Sequence, residues 1–357
     1  MADRNNVHDL SVAMATETVD DVTQVTAAGA TTSSHILEFY FQCAVVVIGV
    51  VGTFANGLIL YAMVASKQHR KHVLIFYQNA LDVLSSLLLV ITYAVKLCNF
   101  YLSGLGGYWL CILILSENIL WCVILASKAN LVFITIDRYV RIVYDAWSKK
   151  NLRKWMTYVA MVFECICTTV HTVVLVYYSS DVIDGLCYSF VIWETRASQL
   201  GYGIFYFVVY YVVILVIFIF CYWRILIAIR HQAQVMAGHG TAGPSASQAR
   251  SHQIQSNIIK TMIFISAFYA ITDLPMNVFY LMLNIHANLT LLDSGYYAGI
   301  FISFFYFCAN PFIYAAKFDP VKRVLLHLIP CKKTAVQPIE SIEITASATT
   351  RRAQTHK

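Results

Sequence analysis

The stretch TMIFISAFYAITDLPMNVFYLML, residues 261–283, is apolar and long enough to cross a lipid bilayer as a helix. About 20 consecutive apolar residues are needed to span the roughly 30 Å hydrocarbon core. Two of its residues are unusual, because Asp273 places a carboxylate in hydrocarbon and Pro275 interrupts the helical hydrogen bonds. An ionisable residue at this depth is a candidate for function rather than for stability alone.

Similar apolar runs recur along the whole chain. Of its 357 residues, 59% are hydrophobic and 12% are charged, about half the charged fraction of a soluble domain. The runs are too long and too uniformly apolar to be the strands of a membrane barrel. The sequence therefore predicts an all-α membrane protein with a bundle of seven transmembrane helices. The runs lie at residues 36–65, 73–97, 109–136, 155–178, 199–229, 257–284 and 294–316.

The distribution of lysine and arginine predicts the orientation of the bundle. These residues are concentrated in the first, third and fifth connectors and in the C-terminal tail, whereas the other connectors hold only Lys96 and Arg196. Cytoplasmic loops of membrane proteins carry such an excess. We therefore expect an extracellular N-terminus and a cytoplasmic C-terminus. The net charge of +6 follows from this bias and does not indicate a nucleic-acid partner.

The segments outside the helices differ from them in composition. Residues 1–35 are polar, lack the pattern of a cleavable signal peptide and are expected to form a disordered extracellular segment. The membrane domain is expected to cover residues 36–330, followed by a flexible cytoplasmic tail at residues 331–357. Asn288 lies in a glycosylation triplet in a predicted outer loop. Cys331, before two lysines, is a candidate for palmitoylation, with an unmodified thiol as the alternative.

Two of the ten cysteines are candidates for a disulfide on the outer, oxidising side of the membrane. Cys111 lies at the outer end of run three, and Cys187 lies in the second outer loop. A disulfide between them would tie the longest outer loop to the bundle. Cys98 lies on the same side and is a competitor for either partner.

Short motifs at defined places in these runs carry a family resemblance. Residues 137–139 are Asp-Arg-Tyr at the inner end of run three, and residues 310–314 are Asn-Pro-Phe-Ile-Tyr at the inner end of run seven. Run one holds Asn56 and run two holds Asp82. With this combination the chain resembles the rhodopsin-like family of G-protein-coupled receptors. The resemblance implies a multi-pass plasma-membrane receptor for an extracellular ligand, with no cofactor and no enzymatic activity.

The resemblance also implies partners and roles at the inner face. The partners are a heterotrimeric G protein, arrestin and a receptor kinase acting on the tail. Arg138 would turn toward the G protein on activation and would be held at rest by Asp137; alternatively, it is an interfacial arginine that only reaches the lipid headgroups. The segment DPVKRVLLHLIP predicts a short amphipathic eighth helix on the membrane surface. The implied coupling residues are Asp137, Arg138, Tyr139, Tyr222, Asn310, Pro311 and Tyr314.

The core of the bundle follows the family in part. Asp82, Ser127 and Asn310 match the residues that form a sodium pocket in the family, which is the only metal site implied. Where the family usually has a tryptophan switch two residues before the proline of run six, this chain has Asp273. The expected core switch network is Asn56, Asp82, Ser127, Lys128, Asp273 and Pro275.

Lys128 is the second departure in the core. It lies ten residues before Arg138 and therefore deep in the membrane, where an unpaired lysine costs about 3 kcal/mol or more. We expect an ion pair with Asp273, with Asp82 or with both, in which the ammonium replaces sodium. The alternative is a pair of neutral groups, each satisfied locally.

The ligand class is not evident from the sequence. Leu120 stands where amine receptors have an aspartate, and Phe304 stands where photopigments have a lysine, so neither class is indicated. Glu117 would meet a cationic ligand or would be solvated at the outer rim. Aromatic residues of the outer halves, including Phe205 and Tyr280, would line a ligand pocket or would anchor the helices in the lipid interface.

Two other functions remain as alternatives at this stage. The first is a receptor-like scaffold that does not signal, which the missing tryptophan favours. The second is a channel or transporter, which the buried charges favour, although no internal repeat accompanies them.

Overall fold

The computed structural model describes residues 4–98, 100–189, 193–238, 246–285, 294–317 and 319–328. Seven helical segments in these ranges are long and apolar enough to cross a membrane, which confirms the predicted seven-helix bundle. We call them spans one to seven. They are His35–Ala65, Val73–Leu97, Gly104–Val143, Lys154–Ser179, Arg196–Gln232, Ile259–Ile285 and Ser294–Ile313.

Several spans consist of more than one helical element, and the elements are numbered here in chain order. Spans three and five each contain a wide, π-type turn, at Cys111–Leu115 and at Val208–Val213. A two-stranded antiparallel hairpin lies in the second outer loop, formed by β1 (Asp181–Ile183) and β2 (Leu186–Tyr188). The α-helices are α1 (Arg4–Ala65), α2 (Val73–Leu97), α3 (Gly104–Leu110), α4 (Asn118–Val143), α5 (Asp145–Asn151), α6 (Lys154–Ser179), α7 (Arg196–Phe207), α8 (Ile214–Gly238), α9 (Ala246–Ile285), α10 (Ser294–Lys317) and α11 (Asp319–Leu328), with a 3-10 turn at Gln68–Arg70.

The first helix begins earlier than the sequence predicted. Helix α1 extends back to Arg4, whereas no regular structure was expected before residue 36. The physical reason is that residues 4–34 contain no proline and a single glycine, so no residue interrupts the helical hydrogen bonds. The membrane span itself begins at His35, close to the predicted boundary.

Small residues allow spans one, two and seven to approach closely. A Cβ atom added at Gly52 would lie 2.7 Å from both the Cys308 Sγ and the Ser86 Oγ. Asn56, one turn further along span one, donates a hydrogen bond to the Phe307 carbonyl oxygen at 2.9 Å. Glycines at helix contacts are typical of membrane bundles, where close packing replaces the hydrophobic effect. This packing brings spans one, two and seven together near the middle of the bundle.

The C-terminal part of the chain is described as far as residue 328. A ten-residue helix, α11, follows span seven, and Val321 in it is buried. That this helix lies on the membrane surface stays a prediction. Asn288, Cys331 and the tail at residues 331–357 lie outside the described residues. Tyr314 lies in α10, and its side chain is outside the described set.

Candidate functional site

The centre of the bundle holds a buried ion pair between spans three and six. The Lys128 Nζ lies 2.9 Å from the Asp273 Oδ1 and 2.8 Å from the Oδ2, and both side chains are 3% exposed. The same carboxylate accepts hydrogen bonds from the Asn277 Nδ2 at 2.6 Å and from the Ser303 Oγ at 2.7 Å. A charge pair away from water is tolerated when further hydrogen bonds satisfy its remaining positions. Through Ser303, the pair also links to span seven.

Local features of span six place these groups together. Asp273 and Asn277 are four residues apart in α9 and therefore lie on one face of the helix. Pro275 lies between them and removes one backbone donor from the helical hydrogen-bond pattern. The Lys128 Nζ lies 5.7 Å from the centre of the Tyr269 ring, close enough for a cation–π contact. The ammonium therefore contacts two residues of span six.

The geometry distinguishes among the partners that the sequence allowed for Lys128. Its described hydrogen bonds go to Asp273, and none of those described joins it to Asp82. Donors from three side chains converge on the two oxygens of Asp273, an environment that suits a carboxylate, which only accepts hydrogen bonds. This arrangement favours the ion pair over two neutral groups.

Asp82 is the centre of a second buried network, which lies nearer to the inner ends of the spans. Its Oδ1 accepts hydrogen bonds from the Ser127 Oγ at 2.9 Å and from the Gln78 Nε2 at 3.2 Å, and its Oδ2 accepts one from the Asn310 Nδ2 at 2.9 Å. Gln78 also accepts a hydrogen bond from the Asn130 Nδ2 at 2.9 Å. All five side chains are buried. The network joins spans two, three and seven through neutral donors.

These contacts correct the expectation that the Lys128 ammonium replaces sodium beside Asp82. The amide of Gln78, one helical turn before Asp82, donates to the Asp82 carboxylate. Lys128 instead contacts Asp273 of span six. Oxygen atoms that suit sodium are nevertheless present, because the Asn310 Oδ1 is buried without a described hydrogen-bond partner near Asp82 and Ser127. Asp82, Ser127 and Asn310 would hold such an ion, and the sodium site stays a prediction.

The arginine at the inner end of span three contacts a different partner from the one expected. Asp137 accepts two hydrogen bonds from the Arg141 Nε, at 2.8 and 2.9 Å, and not from Arg138. Residues four apart share a helix face, whereas adjacent residues point in different directions, so Arg141 is the better placed partner. The Arg138 Nη2 lies 3.5 Å from the Nδ1 of His72, which precedes span two. No described hydrogen bond joins Asp137 to Arg138 in this conformation, and the role of Asp137 in the resting state stays a prediction.

The surroundings of His72 favour its uncharged form near neutral pH. Burial and the charges of Arg138 and Lys71 lower the pKa of His72 from its usual 6.5 to about 4, although Asp137 acts in the opposite direction. A neutral imidazole is able to accept a hydrogen bond from a guanidinium, which a protonated one cannot do.

Tyr222 connects spans three, five and six near the inner face. Its hydroxyl lies 2.9 Å from the Thr135 Oγ1 and 2.8 Å from the Ser266 Oγ. Tyr139 lies further toward the surface, where its ring contacts Tyr144 at a centroid distance of 5.7 Å. The structure therefore holds Tyr222 between span three and span six.

At the outer face, Cys111 and Cys187 form the predicted disulfide. The competing residue, Cys98, is a free thiol and donates to the Ala94 carbonyl oxygen. Beyond Cys111, span three continues through the wide turn at Cys111–Leu115 and a break that follows it.

Glu117 occupies that break and points into the bundle. Its backbone φ is 59°, a left-handed conformation that is uncommon for residues other than glycine. The carboxylate is paired with Lys96 of span two and accepts a hydrogen bond from the Trp121 Nε1 at 3.0 Å. Glu117 is 4% exposed, so the expectation of a solvated rim residue is wrong. It is also not a free acid awaiting a cationic ligand, because Lys96 already neutralises it.

Two cavities lie among the outer halves of the helices. An inner cavity of about 50 Å³ lies within the bundle and is lined by Trp121, Tyr206 and Tyr280, among others. An outer cavity of about 460 Å³ lies between spans four and five, and Phe205 lines it. Of the predicted pocket residues, Glu117, Leu120 and Phe304 line neither of these cavities; Leu120 and Phe304 are buried in the core.

Comparison with known families gives an independent result. Residues 55–314, more than half of the chain, match the family model described as the 7 transmembrane receptor (rhodopsin family). The chain belongs to the rhodopsin family of seven-transmembrane receptors. A comparison with curated protein sequences found no match. The matched range of the receptor includes both buried polar networks and the inner ends of all seven spans.

Several residues that contact the buried charged groups of the receptor were not predicted from the sequence. Ser303 and Asn277 share the Asp273 carboxylate, Gln78 shares that of Asp82, and Lys96 pairs with Glu117. Two of these contacts were predictable from residue spacing. Asn277 follows Asp273 by one helical turn, and Gln78 precedes Asp82 by one, each within an apolar run.

Proposed function

We propose that the receptor binds an extracellular ligand between the outer ends of spans three, five, six and seven and activates heterotrimeric G proteins in the cytoplasm. In this proposal the N-terminus is extracellular and the C-terminus is cytoplasmic, as the distribution of lysine and arginine indicates.

The observation that carries the proposal is a series of buried polar contacts through the bundle. It begins with the Lys128–Asp273 pair, continues with the network of Asp82, and ends with Tyr222 and Arg138 at the inner face. Buried polar groups are costly in a membrane bundle and are a feature of functional pathways. Such a series provides discrete contacts that a ligand at the outer end can rearrange.

The proposed mechanism begins at the ion pair. A ligand that moves span six relative to span three lengthens the contact between Lys128 and Asp273. Span six then pivots at Pro275, where its hydrogen-bond pattern is already interrupted. The contact of Tyr222 with Ser266 breaks, the inner face opens, and Arg138 leaves His72 for the G protein. Ligand binding thus shifts a population between two states.

Further steps in the proposal concern the tail and the loops. Serine and threonine residues in the tail are proposed sites for a receptor kinase, after which arrestin binds. Palmitoylation of Cys331 would attach the tail to membrane lipid, and Asn288 would carry a glycan on the extracellular side.

The proposal is tested by ligand-free G-protein activation in cells that express the receptor at matched surface levels. Arg138→Ala is expected to abolish the signal, because it removes the proposed contact with the G protein. Arg141→Ala is the matched control, since Arg141 also lies at the inner end of span three but is paired with Asp137. An equal signal from the wild type and Arg138→Ala would contradict coupling through this residue and would favour the scaffold.

His72 is predicted to restrain Arg138 in the inactive state. His72→Lys is expected to raise ligand-free activation about fivefold, because like charges about 4 Å apart repel by about 1 kcal/mol even in water. His72→Gln, which keeps a hydrogen-bond acceptor, is expected to preserve the wild-type signal. Equal signals from the lysine and glutamine variants would show that this contact does not restrain the arginine.

The lowered pKa of His72 also predicts a pH dependence. A histidine that stays neutral in the folded state destabilises it as the pH falls from 6.5 toward about 4, because the unfolded chain binds the proton first. Acidification in this range is therefore expected to loosen the inner face of the purified receptor, and His72→Gln is expected to reduce that response. The thermal unfolding midpoint as a function of pH measures the difference.

A further inference from the structure

The cavity of about 460 Å³ between spans four and five is distinct from the pocket of the proposed function. Its volume is within the range of small-molecule sites, roughly 300–1,000 Å³. Its walls come from the outer half of span four, the end of the second outer loop and the start of span five. Its lining includes Val174, Tyr178, Trp193, Glu194, Tyr202 and Phe205.

A pair of side chains separates this cavity from the inner one. The Tyr202 hydroxyl lies 3.1 Å from the His171 Nε2, and the two rings are stacked with their centres 5.9 Å apart. Both residues line both cavities. The His171–Tyr202 pair is therefore a partition, and a molecule in the outer cavity touches the wall of the inner one.

The chemistry of the lining is apolar and aromatic, with an acidic rim. Glu194 is exposed at the outer end, next to the ring of Trp193, which packs against Tyr202 at a centroid distance of 5.4 Å. The nearby Arg196 is directed elsewhere, because it donates to the Ile285 carbonyl oxygen and to Gln199. Among the described lining residues there is no lysine or arginine. A carboxylate beside aromatic faces favours a cation with an apolar body.

We propose that this cavity is a second binding site, which takes an apolar aryl-alkyl amine with its ammonium at Glu194 and Trp193 and its hydrocarbon part against Val174 and Phe205. The occupant contacts Tyr202 and thereby changes the wall of the inner cavity. The site goes beyond the proposed function, because its occupation requires neither the G protein nor Arg138.

The test uses the full-length receptor in lipid nanodiscs and two probes of equal length, 4-phenylbutylamine and the uncharged 4-phenylbutan-1-ol. Binding is followed by the concentration-dependent rise of the thermal unfolding midpoint. For a probe of this size we expect a Kd on the order of 0.1 mM for the amine. The alcohol is expected to bind about fivefold more weakly, since it lacks the ion pair and the cation–π contact.

Two substitutions locate the site. Glu194→Gln is expected to remove the preference for the amine over the alcohol. Val174→Trp fills the cavity and is expected to abolish binding of both probes. Val173→Trp is the matched control and is expected to retain binding, because Val173 is as exposed as Val174 but does not line the cavity. If Val174→Trp does not fold, Val170→Trp serves the same purpose, because Val170 also lines the cavity.

The proposal is overturned if the wild type binds the amine and the alcohol equally, or binds neither. It is also overturned if the cavity-filling variants bind the amine as the wild type does. Amine binding that survives Val174→Trp but is lost in Tyr280→Ala would assign the ligand to the inner cavity instead. A failure of this site leaves the G-protein assay unaffected, so the two proposals are tested separately.

Discussion

Lys128→Met is expected to remove most of the receptor from the cell surface. The substitution leaves the Asp273 carboxylate buried without a counter-charge, and breaking a buried pair in this way costs about 3–5 kcal/mol. That loss is a large fraction of the stability of an ordinary domain. Surface labelling in cells and the thermal unfolding midpoint of purified receptor measure the effect.

A double variant distinguishes the effect of the unpaired charge from the effect of altered packing. Lys128→Met combined with Asp273→Asn is expected to recover surface expression, because the amide can still contact Asn277 and Ser303 and no unpaired charge remains. Lys149→Met is the matched control: Lys149 also pairs with a carboxylate, that of Asp145, but both side chains are exposed, so no buried charge is left and the loss should be smaller. Wild-type expression of Lys128→Met would show that the pair is not a structural requirement.

Loss of the Cys111–Cys187 disulfide is expected to have the second largest effect. The bridge closes a segment with a sequence separation of 76 residues, and removing such a link costs about 4 kcal/mol in the chain-entropy description. Cys111→Ser, Cys187→Ser and the double variant are expected to lose surface expression to the same degree, because each of them removes the same bond. The measurement is the surface fraction of each variant.

The free thiol on the same side of the membrane supplies the control. Cys98→Ser is expected to behave as the wild type, since Cys98 takes no part in the bridge. Disulfides persist in oxidising compartments, so a reductant that does not cross membranes should destabilise the receptor on intact cells. Unequal losses in the two single variants, or a loss of the same size in Cys98→Ser, would contradict the assigned bridge.

The membrane architecture was predictable because it depends on local composition. Each apolar run corresponds to one span, since a segment without water must satisfy its backbone groups within its own helix. The two buried charges in runs three and six were also recognisable, because an ammonium and a carboxylate in hydrocarbon require partners. The disulfide followed from two cysteines expected on the same, oxidising side.

The partners of the charged groups were harder to predict, because they depend on how the helices are rotated. Lys128 was equally compatible with Asp82 and Asp273 until the rotation of span three was known. The burial of Glu117 depends on a wide turn and a left-handed residue, which shift the helix face in a way that a regular helical pattern does not predict. The partner of Asp137, in contrast, was predictable from the sequence. Arg141 follows it by four residues and therefore lies on the same helix face.

In the proposed mechanism, the Lys128–Asp273 pair holds the inactive state of a receptor that activates G proteins through Arg138. The most direct measurement is ligand-free G-protein activation by the Lys128→Met/Asp273→Asn variant, with and without Arg138→Ala, at surface levels matched to the wild type. We predict that this variant gives a signal about fivefold or more above the wild type, because a shift of about 1 kcal/mol between two states changes their ratio by that factor. The signal is expected to be lost when Arg138→Ala is added. A signal equal to that of the wild type, or one that persists without Arg138, would contradict the claim.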